Sequence, residues 1–224
     1  MTAWPSEQNV LRAEVVRVGA SLFQRGYVHS TAGNISVRLN PDQGSGFLIT
    51  PTDACLGFLD PAQLAWVDAG GTQQSGERAS KTLALHRRIY DSAPDGQCVL
   101  HTHATHLVAL TLQGVWMADD ILPPLTPYQV MKVGHVPLIA YRRPGDPTVA
   151  DTVAAHIAAA TRPLRAVMLE RLGPTVWHDS PAAAMALLEE LEETARLWLL
   201  GGRTATPMTE AQIDELRTHF NAPW

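Results

Sequence analysis

Apolar residues at Val10, Leu11, Val15, Val18 and Leu22 recur at three- and four-residue steps, which predicts an amphipathic helix over 6–24. Ser6 is its candidate cap, and Gly26 breaks the pattern. The period then changes. A turn at Ser30-Thr31-Ala32-Gly33-Asn34 leads into strands over 35–39, 47–50 and 64–67, the last ended by Gly70-Gly71. Helical spacing returns over 80–91 through Leu83, His86, Arg87 and Tyr90, with Ser80 as the candidate N-cap. A short apolar strand over 98–101 is followed by a helix over 104–112 and a strand over 136–141. Residues 151–161 read as a small-residue helix capped by Asp151. Residues 166–169 and 174–177 read as one strand bent at Gly173. A long helix over 180–200 starts with Pro181 at its first position and stops at Gly201-Gly202. A last helix over 209–219 carries a Thr-x-x-Gln capping box.

Helices and strands alternate irregularly, and the early strands follow one another with only turns between them. That order predicts an α/β fold with a mostly antiparallel sheet flanked by helices. A chain of 224 residues with 46% apolar content fills one core, so residues 1–224 are expected to form one domain, with 204–224 as a C-terminal tail helix. The net charge of -5 lacks the basic balance of a nucleic-acid protein. The apolar run 107–112 gives way to Gly114, Asp119 and Asp120, far short of a membrane span. Residues 1–11, with Pro5 and Glu7, lack an apolar signal core. No nucleic-acid or membrane partner is expected. Cys55 and Cys98 make neither a metal-binding pair nor a disulfide framework, so a reducing cytoplasm is the simplest setting.

The first chemical signal is Val99-Leu100-His101-Thr102-His103. In an extended chain, residues two apart point to the same side. Both imidazoles then face one divalent cation, provided that the strand persists through His103. The same spacing also fits a partly exposed strand edge. His106 falls in the next helix, as a supporting group for such a site.

The second signal is a set of donor clusters. Gly33 permits close backbone approach to a ligand, and Asn34 adds an amide. Thr50-Pro51-Thr52-Asp53 brings hydroxyls to a strand end. Ser80-Lys81 brings a hydroxyl and a positive charge to a helix start, where free amides and the helix dipole favour phosphate. Each cluster alone also reads as an ordinary turn or cap; together with the histidine pair they suggest an anion pocket.

These motifs together resemble the class II aldolase/adducin family. The matching strings are Thr31-Ala32-Gly33-Asn34-Ile35-Ser36, Ile49-Thr50-Pro51-Thr52, Ser80-Lys81, His101-Thr102-His103 and Val136-Pro137-Leu138. The resemblance implies a single α/β/α domain with a central, mostly antiparallel sheet, assembled as a homotetramer with sites at subunit interfaces. Phe23-Gln24-Arg25-Gly26-Tyr27, Cys55-Leu56-Gly57, Thr126-Pro127-Tyr128, Arg143-Pro144-Gly145-Asp146 and Leu191-Glu192-Glu193-Thr194-Ala195 look like the 3-oxo-tetronate 4-phosphate decarboxylases within that family. This likeness implies a metal-dependent carbon–carbon lyase that turns a small phosphorylated sugar acid into a triose phosphate and CO2. It implies a divalent metal, zinc first, with manganese or cobalt next. By the same resemblance, His101 and His103 are metal ligands, and Gly33, Asn34, Thr50, Thr52, Ser80 and Lys81 are phosphate-binding candidates. Lys81, Thr82 and Tyr128 are the catalytic candidates, with Tyr128 reaching into a neighbouring subunit's site to return a proton.

Two positions depart from the family pattern. Thr82 stands where the family has a glutamate, and Leu172, in Arg171-Leu172-Gly173, stands where it has a third metal-binding histidine. If 166–177 is one strand, Glu170 faces the same side as Leu172 and replaces the lost imidazole. His135 and the more distant His178 are the other candidates. The missing glutamate disfavours aldol cleavage, which needs a base, more than decarboxylation, in which the departing carboxylate supplies the electrons. A family aldolase and a non-catalytic oligomeric binding subunit are the alternative readings.

Overall fold

Asn34, Ser36 and Arg38 turn to one face of the first strand, and Ile35, Val37 and Leu39 to the other. Nearly all six are buried, so both faces are covered. The computed structural model describes residues 4–224; the first three residues of the 1–11 stretch lie outside the described residues. The strands are β1 (Asn34–Leu39), β2 (Gly46–Ile49), β3 (Ala65–Val67), β4 (Gln73–Ser75), β5 (Cys98–His101), β6 (Leu138–Ile139), β7 (Ala166–Leu169) and β8 (Gly173–His178). The α-helices are α1 (Asn9–Gln24), α2 (Leu83–Ser92), α3 (Thr105–Gln113), α4 (Thr148–Ala159), α5 (Pro181–Leu200) and α6 (Glu210–Phe220). The chain is therefore α/β, as its pattern predicts. None of the described helices is long and apolar enough to cross a membrane.

The fold gathers into two compact units. The first holds Met1–Thr102 and Trp177–Met185. Its strands run in the order β4-β3-β2-β1-β5, each pair antiparallel. At the foot of β5 the Gln97 N–H donates to the His178 carbonyl at 2.8 Å. β4 has no counterpart in the sequence reading: Gln73 and Gln74 are exposed, so this edge strand shows no apolar period. A 3-10 turn, Ser6–Gln8, precedes α1, and the Ser6 hydroxyl bonds the Glu7 side chain instead of capping the helix. Val15, Val18 and Leu22 form the buried stripe of α1. Gly19 lets that helix close on the Leu56–Phe58 turn, since a Cβ there would stand 2.7 Å from the Leu56 carbonyl oxygen. Arg12 is wholly buried on the same helix. Its Nη1 donates to the carbonyls of Pro61 (2.7 Å) and Leu64 (2.9 Å), and its Nε and Nη2 donate to Gln8 Oε1. Burial lowers its pKa to about 10, which leaves it charged at neutral pH.

The second unit holds His103–Val176 and Ala186–Trp224. Its strands run β8-β7-β6, with β7 and β8 antiparallel and β6 and β7 parallel. Residues 166–177 are thus not one bent strand. Leu169 stands opposite Gly173, and the chain reverses through Arg171 at φ 63°. β6 is shorter than the strand expected over 136–141. α4 begins three residues before Asp151, and Asp146 accepts from the Thr148 N–H (3.0 Å) and hydroxyl (2.7 Å) in its place. The expected capping box is present at α6: Thr209 Oγ1 accepts from the Gln212 N–H, and Gln212 Oε1 accepts from the Thr209 N–H. The tail packs on its own unit. Ile213, Ala222 and Trp224 bury together with Val130 of the π-turn Gln129–Val133, and Arg217 Nε donates to the Trp224 carbonyl at 2.8 Å. Ile213→Ala is expected to lower the urea unfolding free energy by about 2–5 kcal/mol; a loss under about 1 kcal/mol would detach the tail from the core.

Candidate active site

β1 and β5 pair so that Asn34 stands opposite His101 and Ser36 opposite Val99. Side chains at these four positions share one face of the sheet. Gly33, just before β1, has φ 84°, and a Cβ there would come within 2.8 Å of the His101 carbonyl oxygen. Gly33 is therefore a packing requirement of β5. Thr50 is fully buried; its N–H donates to the Ile35 carbonyl (3.0 Å) and its Oγ1 accepts from the Ile35 N–H (3.2 Å). Its own carbonyl accepts from the Ser80 N–H at 3.2 Å, while the Thr52 N–H donates to the Arg78 carbonyl at 2.9 Å. These bonds, with a bridge between Pro51 and Ala79, zip the 50–53 loop to the entry of α2.

The sequence-predicted residues Gly33, Asn34, Thr50, Thr52, Ser80, Thr82 and His101 thus gather in the first unit through backbone pairing. Ser80 precedes the helix by more than a cap position; Thr82 is the residue before α2, and the Ser80 and Thr82 hydroxyls lie 2.9 Å apart. Lys81 between them is exposed. A hydroxyl at 82 has no basic lone pair comparable to a carboxylate's, so this position cannot serve as a general base at neutral pH.

The fold adds residues that were not singled out as functional. Ser36 Oγ lies 2.7 Å from His86 Nδ1 and 2.8 Å from the Tyr90 hydroxyl, all three side chains being buried. Three polar atoms at this end are buried and without a hydrogen-bond partner: Asn34 Oδ1, His86 Nε2 and Thr102 Oγ1. The signal in the sequence was a histidine and a tyrosine four apart on one helical face. Their partner, Ser36, is 50 residues away from His86. Burial pushes the pKa of His86 down to about 3, and the nearby His101 adds to the shift.

His103 lies beyond β5, which ends at His101, so the alternation that aligned the two imidazoles covers only the first of them. In the second unit, Glu192 fixes the start of α3: its carboxylate accepts from the N–H groups of His106 (2.8 Å) and Leu107 (3.0 Å) and lies 2.8 Å from His106 Nδ1. His106 is committed to that carboxylate. Glu170 lies in the β7–β8 turn, so it shares no strand face with Leu172. Its Oε2 accepts from the Tyr141 N–H at 2.8 Å, and its Oε1 is 4.0 Å from Arg171 Nε. His135 Nδ1 lies 2.6 Å from Asp120 Oδ2, and its ring packs on Trp224. Among the described residues no three His, Cys, Asp or Glu side chains gather to hold a metal, so the expected third ligand, Glu170, completes no triad with the two histidines. Tyr128 stands 61% exposed beside the π-turn. An open pocket of about 260 Å³ in the second unit, lined by Asp119, His135, His156 and Arg162 among others, contains none of the phosphate-binding candidates.

A sequence profile of the class II aldolase and adducin N-terminal domain matches residues 13–199. The chain belongs to this family. It is 54% identical to the 3-oxo-tetronate 4-phosphate decarboxylase of Cupriavidus necator, over 98% of this chain and 100% of that protein. It is 27% identical to the L-fuculose phosphate aldolase of Escherichia coli, over 94% of this chain and 92% of that one. The crystal structure of YgbL from Escherichia coli superposes with a TM-score of 0.86 at 40% identity, covering 95% of this chain and 100% of that chain. The class II aldolase likeness read from short residue strings is borne out along nearly the whole length.

His86 also gives this site an acid sensitivity. Below pH ~6.5 the unfolded chain takes a proton at His86 that the folded chain refuses until about pH 3. Stability is therefore expected to fall as pH drops through that window, by up to about 1.4 kcal/mol per pH unit from this group. Urea unfolding of the wild type and of His86→Gln between pH 7 and pH 4.5 measures it: the wild type should show the steeper slope, and equal slopes would remove His86 as the cause.

Proposed function

We propose that this chain is a carbon–carbon lyase that decarboxylates 3-oxo-tetronate 4-phosphate to a triose phosphate. The observation that carries this reading is the 54% identity, over 98% of this chain and 100% of the relative, to a decarboxylase of that name. The donor cluster of Gly33, Asn34, Ser80 and Lys81 beside His101 supports it, because it offers a phosphate neutral donors and one mobile positive charge. Thr50 and Thr52 act in this reading by holding the loop that carries them, since Thr50 is fully buried.

His101 and His103 have the donor chemistry of a zinc, manganese or cobalt site and are the residues that would hold such an ion. The cation supplies Lewis-acid stabilisation of charge that develops on the substrate. The chain's own residues do the rest. In the reaction the C1–C2 bond breaks, CO2 leaves, the electron pair passes into the C2–C3 enolate, and a proton adds at C2. Tyr128 is the proton donor, offered from the surface of one subunit to the site of another in a homotetramer. The unpaired thiols of Cys55 and Cys98 suit a cytoplasmic setting.

The alternative of a non-catalytic binding subunit draws on Thr82 and on Leu172, which stand where the family has a glutamate and a histidine. Assay of CO2 release from 3-oxo-tetronate 4-phosphate, with protein loaded with zinc, manganese or cobalt, separates the two. Turnover is expected, with His101→Ala and His103→Ala each reducing it by at least about 100-fold and lowering bound metal, and Lys81→Ala acting mainly on KM. Phosphate-ester binding without turnover under every metal would favour the binding subunit. Carbon–carbon bond formation from dihydroxyacetone phosphate and short aldehydes would instead indicate an aldolase.

A further inference from the structure

The pocket of about 260 Å³ in the second unit has a fixed polar group on its wall. Asp120 is buried with both oxygens committed: Oδ1 accepts from the Val136 N–H at 3.0 Å, and Oδ2 lies 2.6 Å from His135 Nδ1. A carboxylate only accepts, so the ring proton sits on Nδ1 and the neutral imidazole offers Nε2 as an acceptor. Trp224 packs on that ring, with centroids 4.6 Å apart. Among the described residues Nε2 has no partner, and it is not buried, so it stands open at the pocket that the ring lines. Arg162 lines the same pocket. Its Nη1 donates to the Ala222 carbonyl at 3.3 Å, and its other N–H groups have no partner among the described residues. His156 and the exposed Asp119 add polar groups, and Pro137, Ala159, Pro163 and Leu164 supply apolar wall.

We propose that this pocket binds a small hydroxylated anion, with the anionic group on Arg162 and a hydroxyl donating to His135 Nε2. The two ends ask for different chemistry. A guanidinium fork matches a carboxylate or a phosphate. An unprotonated ring nitrogen accepts only, so it needs an O–H, which a bare anion lacks. Asp119 acts in the same sense: its carboxylate accepts from hydroxyls and repels an anion without them. The volume lies just below the range of about 300–1,000 Å³ that suits drug-sized ligands, so the occupant is a short hydroxy acid or polyol phosphate. This site is independent of the decarboxylase reading, since neither His101, His103 nor any phosphate-binding candidate lines it.

Nitrogen NMR of the full chain, histidine-labelled, in mildly alkaline buffer and carrying Lys81→Ala to remove the other candidate anion-binding charge, tests it. Glycerate and glycerol 3-phosphate, titrated separately, are the probes; sulfate and glycerol are the controls. The His135 Nε2 resonance, assigned by its loss in His135→Gln, should start where an unprotonated nitrogen resonates and should move to saturation with at least one probe. The probe that binds more tightly tells carboxylate from phosphate. Arg162→Gln keeps an N–H for the Ala222 carbonyl and should leave the starting resonance in place while weakening that probe at least about tenfold. The proposal is overturned if neither probe moves the resonance, if the starting ring carries its proton on Nε2, if sulfate or glycerol alone binds as tightly, or if Arg162→Gln leaves the affinity unchanged.

Discussion

The pairing of β1 with β5 is the contact on which the candidate site depends. It sets Asn34 against His101 and Ser36 against Val99, and it exists because Gly33 presents no side chain to the His101 carbonyl. Side chains alternate with period two, so a slip of one residue would bring Ile35 and Leu100 to this face and turn the polar set away. The same pairing positions Ile35 to hold Thr50, and Thr50 to hold Ser80. Three polar segments far apart in sequence are thereby brought to one sheet end by backbone hydrogen bonds, with no salt bridge among them.

Much of this was legible in the chain. The donor strings, the long helix opened by Pro181, the capping box at Thr209 and the strand entering His101 are local patterns, and local patterns survive in one dimension. What was lost depends on partners far along the chain. Glu192, 86 residues after His106, fixes the start of α3, so the strand reading through His103 had no way to anticipate where β5 would end. The β7–β8 hairpin turns on Arg171 in a left-handed conformation, which a residue with a Cβ adopts uncommonly, and the neighbouring Gly173 drew the reading of a bend instead. Glu170 lost the strand face it was expected to share with Leu172 through that single reversal. β4 was missed for a simpler reason, since an edge strand of exposed glutamines shows no apolar period.

In the proposed reading, a protein of net charge -5 accommodates an anion through local donors. Its donor end is made of amides and hydroxyls, with one exposed lysine. At position 82 a hydroxyl bonded to Ser80 takes the place of a carboxylate that would repel phosphate. Attraction arises locally, where the field of the remaining surface is weakened by intervening solvent and salt.

Arg12 carries a different lesson about charge. Its guanidinium is enclosed by carbonyl oxygens and the Gln8 amide, with the Trp4 ring 4.0 Å from its central carbon. No carboxylate takes part in these contacts, so dissolved ions find no exposed pair of opposite charges to come between. The clasp that joins α1 to the approach of β3 is in effect a dipolar cage around a cation. Concentrated electrolyte, which loosens surface ion pairs, has little hold on it.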